Sequence, residues 1–332
     1  MRQIPSTAER RVLSREEFLM RFGGLSIAVL LPCYNEELTV AGCIAGFRES
    51  LPNATIYVYD NRSTDGTYSA AEAAGAVVRR EPLQGKGNVV RRMFSDIDAD
   101  VYVMADGDGT YDARSAPFLV EYLLANRLDM VVGSRAAQDA KAYRPGHAFG
   151  NRMLTGVVGF IFGSRFVDML SGYRVFSRRF VKTFPALSTG FEIETELTVH
   201  ALELRLPVDE LSTPFGERPE GSSSKLSTVR DGLRILKLIV DLFKLEKPLS
   251  FFGIVAGLLV LASLTMGIPL ITEFMATGLV PRLPTAVLAS ALIVLAALSF
   301  VCGLILDTVT RGRRELKRLH YLSHGAVPWR IP

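Results

Sequence analysis

Apolar and polar positions divide the chain into regions with different periodicities. Up to about residue 135, short apolar runs alternate with segments of helical spacing. The run SIAVLLPCYN (26–35) is apolar on successive positions, the pattern of a strand buried on both faces. EELTVAGCIAGFRES follows with helical spacing. TIYVYD (55–60) predicts a second strand closed by the turn NRSTDGT, and DGTYSAAEAAG a short helix stopped by Gly75. AVVRRE, VYVMAD and LDMVVGSR (128–135) predict three more strands, with GNVVRRMFSDI and SAPFLVEYLLANR as helices between them. Alternating strands and helices predict an α/β domain on a mostly parallel sheet covered on both faces. Ligands of such sheets bind beyond the carboxyl ends of the strands.

The pattern changes after residue 247. Residues 248–272 (PLSFFGIVAGLLVLASLTMGIPLIT) and 283–306 (LPTAVLASALIVLAALSFVCGLIL) contain no charged side chain. About 20 apolar residues suffice for a helix to cross a bilayer. Two transmembrane helices are therefore expected, at about 249–271 and 284–306; a pair of buried core helices is the alternative. Ahead of them, LSTVRDGLRILKLIVDLFKLEK (226–247) sets basic residues between apolar ones at helical spacing, as an amphipathic juxtamembrane helix does. Lys225, Arg230, Arg234, Lys237, Lys244 and Lys247 precede the first span, and Arg311, Arg313, Arg314, Lys317 and Arg318 follow the second. The connector holds only Glu273 and Arg282. The positive-inside rule then places a domain at 1–225, a basic tail at 307–332 and both termini in the cytoplasm.

Composition adds little to this division. The 332 residues are 48% hydrophobic, and the two uncharged runs hold most of the excess. The net charge of +4 reads as attraction to anionic membrane lipids, since no nucleic-acid motif accompanies the basic residues. Cys33, Cys43 and Cys302 have no metal-ligand spacing and read as reduced thiols. The opening MRQIPSTAERRVLSREEFLMR has no apolar core of a signal peptide.

Candidate chemistry gathers at the predicted strand ends: Tyr34, Asn35 and Glu36; Asp60 and Asn61; Glu81 to Lys86; Asp106 and Asp108; Ser134 and Arg135. One acidic turn is a common accident of solvation, whereas five strand ends delivering polar groups to one edge point to a site. The pair in ADGDGT suits Mg²⁺ or Mn²⁺, hard ions held by one or two carboxylates plus substrate phosphates. Gly85-Lys86-Gly87 opens a helix, where backbone amides and a lysine favour an anion; an exposed turn is the plain alternative. Neither a Walker loop nor a G-x-G-x-x-G is present, which argues against those nucleotide-binding classes.

LPCYNEE, VYDNRSTDGT, GKGNVVRR, MADGDGTYD and VVGSR stand in the order and spacing of family 2 glycosyltransferases with the GT-A fold, which the chain resembles. DMLSGYRVFSRR, GFEIETELTVHALE and ERPEGSSSKLSTVRDGLRIL resemble the polyprenyl-phosphate branch, which includes dolichyl-phosphate mannose synthases. The likeness runs from about residue 26 to residue 306. It implies a GT-A (Rossmann-like) cytoplasmic domain, then interface helices and two membrane spans. It further implies that Pro32, Tyr34, Asn35, Glu36, Asp60 and Lys86 bind the donor, that Asp106 lies by the ribose and diphosphate, and that Asp106 and Asp108 hold the metal. Thr110 stands where relatives carry a glutamine able to reach the metal, and Asn61 where many carry a second acid.

The same resemblance makes polyprenyl phosphate the acceptor, and its dianionic head needs cations. Arg135, Arg152 in an apolar segment, and Arg218 and Lys225 around PEGSSS are the candidates. An ordinary core helix and a solvated loop are the plain alternatives for the last two segments. Asp168 matches an acidic position of the branch and reads either as a residue positioning acceptor or sugar, or as a structural partner of Arg174. Of Glu192, Glu194 and Glu196, at most one is expected to face the sugar, and Glu192 is the choice. The implied reaction inverts configuration in one displacement, and an ionised phosphate acceptor needs no general base. UDP-linked glucose-type donors come ahead of GDP-mannose. A homo-oligomer is implied, with a tetramer one candidate, in the plasma (inner) membrane. A polysaccharide-extending synthase would usually carry a QxxRW-like motif, and the lone tryptophan, Trp329, is not in one. A non-catalytic nucleotide-sugar-binding subunit is the remaining alternative.

Overall fold

A computed structural model describes residues 2–3, 15–137, 168–216 and 240–326, together with 156, 159 and 237. Eight strands form one sheet in the order β1-β8-β6-β7-β5-β2-β3-β4. They are β1 (Arg2–Gln3), β2 (Ile27–Cys33), β3 (Thr55–Asp60), β4 (Val77–Arg80), β5 (Val101–Met104), β6 (Met130–Ala137), β7 (Arg174–Ser177) and β8 (Val208–Phe215). The five strands expected from the apolar runs are β2 to β6. Three were not expected, and β7 changes the topology most. It lies between β5 and β6 and runs antiparallel to both, pairing Met104 with Arg174 and Val131 with Val175.

Period-2 alternation assigns the faces. Val103 of β5 and Val175 of β7 join Val29, Leu31 and Val58 in a core closed by Ile44 and Phe47 of α2 (Val40–Ser50) and Leu119 and Leu123 of α5 (Ala116–Ala125). Tyr102 and Phe176 point the other way, where Phe94 of α4 (Lys86–Asp96) meets them edge to face, with ring centroids 6.3 and 5.7 Å apart. Among the described residues this region also holds α1 (Arg15–Phe22), α3 (Thr67–Ala73), α6 (Arg178–Thr183) and α7 (Ile193–Glu203).

The chain divides into two compact units, residues 1–235 with 317–332, and residues 236–316. The second unit holds α8 (Pro248–Thr277) and most of α9 (Leu283–Leu322). Both helices are long and apolar enough to cross a membrane, and only 17% of each apolar stretch is buried. Most of their leucine and isoleucine side chains face outward, which is not how a core helix is used. The two helices are antiparallel neighbours: Ser263 Oγ donates to the Ala289 carbonyl at 2.7 Å and Ser299 Oγ to that of Phe252 at 3.2 Å. Gly278, at φ 68°, ends α8 in the left-handed conformation that glycine adopts without strain. The tail expected from residue 307 is helical as far as Leu322. The final turns belong to the first unit, where Lys317 pairs with Glu203 at 2.6 Å and Tyr321 Oη donates to Asp129 at 2.8 Å. The amphipathic helix expected at 226–247 lies mainly outside the described residues, although 240–246 are helical.

Candidate active site at the strand ends

The loops after β2 and β3 are clasped together. Asn35 adopts φ 54°, a conformation asparagine tolerates better than most residues. Its amide donates to Ser63 Oγ at 2.9 Å, and its side-chain oxygen accepts from the Thr64 amide at 2.8 Å. The Glu36 amide donates to Thr67 Oγ1 at 2.8 Å. Thr39 Oγ1 donates to the Gly107 carbonyl at 2.7 Å, tying this corner to the acidic turn after β5. Pro32, Glu36 and Asp60 are buried here, with Tyr34 and Asn35 half-buried.

Asn61 explains its own departure from a second acid. Its amide nitrogen donates to the carbonyls of Glu81 (3.2 Å) and Leu83 (2.8 Å), and its oxygen accepts from the Gly85 amide (2.7 Å). A carboxylate accepts but cannot donate, so only the amide serves all three backbone groups. The Gly85-Lys86-Gly87 turn is therefore built differently from a free anion cradle. The Gly87 amide donates to the carbonyls of Thr189 and Gly190, at 3.1 Å each. A Cβ on Gly87 would stand 2.2 Å from the Ser188 carbonyl oxygen. These amides serve the protein's own loop, and what the turn offers the site is the Lys86 side chain.

The acidic turn carries Asp106 and Asp108. Asp108 is 4% exposed, and its Oδ1 accepts from the Thr110 hydroxyl at 2.6 Å and from the Thr110 amide at 3.1 Å. Thr110 thus orients Asp108, where the family pattern suggested a third ligand. Asp106 is paired with Lys86, which also bonds Glu194 Oε1 at 2.5 Å. Burial pulls the Lys86 ammonium toward neutrality, but the Asp106 and Glu194 carboxylates outweigh it and hold its pKa well above the ordinary lysine value. Burial pushes the Glu194 carboxyl up. Behind them Arg174 is fully buried and held by Thr198 Oγ1 and the carbonyls of Ser171 and Met169, with burial pulling it down to about 10.

The helix expected to offer one acid to the sugar thus turns Glu194 toward the Lys86–Asp106 pair. Glu192, the residue chosen from the sequence, is the half-buried N-cap of α7. Glu196 accepts from the Leu187 and Ser188 amides, at 2.9 and 2.7 Å. Asp168 pairs with Arg135 and not with Arg174: Arg135 Nε and Nη2 reach its two oxygens at 2.6 and 2.7 Å. Glu210 Oε1 accepts from the Asp168 amide at 2.8 Å. Arg152, Arg218 and Lys225 lie outside the described residues. Gly172 was not singled out from the sequence. A Cβ there would come 2.8 Å from Asp106 Oδ2 and 3.0 Å from Lys86 Nζ, so the Gly172 backbone lies close against the ends of the pair.

The glycosyl transferase family 2 model matches residues 28–184, the stretch from β2 to the end of α6 that carries the acidic turn. Glycosyltransferase AglJ of Haloferax volcanii is 33% identical over 305 residues, which is 90% of this chain and 98% of that protein. The chain belongs to glycosyl transferase family 2. Protein RfbJ of Shigella flexneri is 56% identical over 127 residues, 38% of this chain and 98% of its own length. Among solved structures, glucosyl-3-phosphoglycerate synthase of Mycobacterium tuberculosis, crystallised with Mn²⁺, UDP and phosphoglyceric acid, superposes with a TM-score of 0.58. That match has 21% identity over 71% of this chain and 83% of that one, a likeness of fold. The fold is thus shared with that synthase, while α8 and most of α9 belong to a separate unit of this chain.

Proposed function

We propose that this family 2 glycosyltransferase moves a sugar from a nucleotide-diphosphate sugar to polyprenyl phosphate at the cytoplasmic face of a membrane it spans twice. The observation that carries the reading is one chain holding both the Asp106–Asp108 turn and two outward-apolar helices of spanning length. The acceptor it names is the kind of substrate a membrane-embedded transferase would meet, a lipid with a phosphate head.

The charge of the strand-end edge supports a divalent cation. Among the described residues Glu36, Asp60, Glu81, Asp106, Asp108, Asp168 and Glu194 stand at this edge against Arg62, Arg80, Lys86, Arg135 and Arg174. A diphosphate approaching this edge would meet net negative charge. Hard carboxylate oxygens on one turn suit Mg²⁺ or Mn²⁺; the described residues gather no group of three or more His, Cys, Asp or Glu able to hold an ion, so donor phosphates would help complete the shell. Asp106 and Asp108 would hold that ion, which would neutralise charge on the departing nucleoside diphosphate. The Mn²⁺ and UDP-glucose named for the mycobacterial synthase favour Mn²⁺ and a UDP-linked donor.

The remaining steps belong to the chain's own residues. Thr110 fixes Asp108, and Tyr34, Asn35, Glu36 and Asp60 line the nucleotide side, with Pro32 closing it. Arg135, held by Asp168 as a two-pronged fork, would meet the acceptor phosphate together with Arg152, Arg218 and Lys225. One phosphate oxygen attacks the anomeric carbon, the bond to the diphosphate breaks, and the electron pair leaves with the nucleotide. Configuration inverts. No base is required, and Glu194, engaged with Lys86, is not placed as one. A homo-oligomer in the plasma (inner) membrane completes the reading. The test is to give the purified protein in lipid nanodiscs Mn²⁺, labelled UDP- and GDP-sugars, and polyprenyl phosphate, polyprenol or phosphoglycerate. Label should enter the polyprenyl phosphate reaction alone; label on phosphoglycerate or polyprenol instead refutes the acceptor.

A further inference from the structure

Lys86 lies between two carboxylates that are not equivalent. The Asp106 side chain is 30% exposed, that of Lys86 is 9% and that of Glu194 is 4%. Asp106 is therefore the face of the trio that an incoming ion can reach, and Glu194 lies behind the lysine. Glu194 Oε2 is buried and has no hydrogen-bond partner among the described residues, so this carboxylate has unused capacity to accept from an ammonium.

The backbone that carries the lysine is tied down. Its neighbour Gly87 is bonded to the carbonyls of Thr189 and Gly190, and Glu196 of α7 ties down the amides of Leu187 and Ser188 in the same loop. The start of α4 and the approach to Glu194 are thus one assembly. On the other side the Gly172 backbone lies close against the ends of Asp106 and Lys86. If Asp106 turns away, the ammonium stays buried, and a buried ammonium without a carboxylate is costly.

We infer that Glu194 is a positioning residue: it retains the Lys86 ammonium while Asp106 exchanges that ammonium for a divalent cation. Lys86 then serves as a resident counter-ion for Asp106, and Glu194 makes the exchange possible without expelling a charge from the interior. This rests on the metal-dependent reading above and adds a role for a residue that need not touch donor or acceptor.

The test is a double-mutant cycle on Mn²⁺ affinity, read without turnover by water proton relaxation at saturating UDP and, separately, GDP. Glu194→Gln should weaken Mn²⁺ binding by roughly 10-fold when Lys86 is present, and by less than about 2-fold in a Lys86→Met background, because its effect passes through the lysine. Equal weakening in both backgrounds would mean that Glu194 acts on the ion directly, and overturns the inference alone. If the wild type binds no Mn²⁺ with either nucleotide, the metal-dependent reading falls with it. Thermal unfolding checks each variant. Should Glu194→Gln not fold, Glu194→Asp, which withdraws the carboxylate from the lysine, must show the same dependence on Lys86.

Discussion

Thr110 donates both its hydroxyl and its amide to one oxygen of Asp108, at 2.6 and 3.1 Å. These two bonds restrain the carboxylate's rotation. Hydrogen bonds to charged groups contribute about 1.5–3 kcal/mol. Thr110→Val, which keeps shape and removes the hydroxyl, should raise the Mn²⁺ concentration for half-maximal transfer by about 10-fold or more. Thr110→Ser should remain near wild type. Metal titration of the initial rate distinguishes them; equal behaviour of the two variants would remove Thr110 from the site.

Asn61 predicts the cost of restoring a second acid. Asn61→Asp leaves the carbonyls of Glu81 and Leu83 facing a carboxylate and retains only the Gly85 contact. Each buried carbonyl left without a donor costs about 1–3 kcal/mol, so a clear drop in Tm is expected at neutral pH. A protonated acid can donate once, so part of the loss should return as the pH is lowered. An unchanged Tm would mean that the loop does not depend on this side chain.

His200 gives a pH dependence with a definite sign. It is 2% exposed, lies edge-on to Phe180 and Phe184, and neither ring nitrogen has a hydrogen-bond partner among the described residues. Burial, with a smaller push from Lys317, brings its pKa from 6.5 down to about 3. The unfolded chain therefore binds this proton first. The stability associated with the neutral ring is complete above pH 6.5 and is lost progressively as pH falls toward 3. His200→Phe should lose less Tm than wild type between pH 7 and pH 4. Parallel Tm profiles would contradict the buried neutral ring.

Arg135 and Asp168 predict a split in kinetic constants. Lysine cannot reproduce the two parallel bonds of the guanidinium. Arg135→Lys should raise KM for polyprenyl phosphate several-fold and leave KM for the nucleotide sugar near wild type. A change confined to the donor would move Arg135 to the other side of the reaction.

β2, β3 and β5 were legible in the sequence because they are apolar runs followed at once by polar residues. β7 was not legible: Arg174–Ser177 is four residues long, and its burial depends on neighbours distant in the chain. The acidic turn was readable from Asp106 and Asp108 only together with the polar residues at the other strand ends. The partners of those residues were not. The loop that takes the Gly87 amide lies about a hundred residues away, and nothing local in GKG announces it. Glu194 was one of three acids on a helix, and the helix start at Ile193 and its rotation decide which one turns inward. Asp168 was weighed against Arg174, nearer in sequence, whereas the fold brings Arg135 to it across the sheet.

The most direct test of the account is the organic-extractable label formed from the nucleotide-sugar panel with polyprenyl phosphate and Mn²⁺, wild type against Asp108→Ala of unchanged Tm. The account predicts an acid-labile lipid-linked sugar from the wild type and a loss of at least about 100-fold in the variant, as for removal of a transition-state charge stabiliser. Equal label from the two proteins, or none from the wild type with any donor, would contradict it.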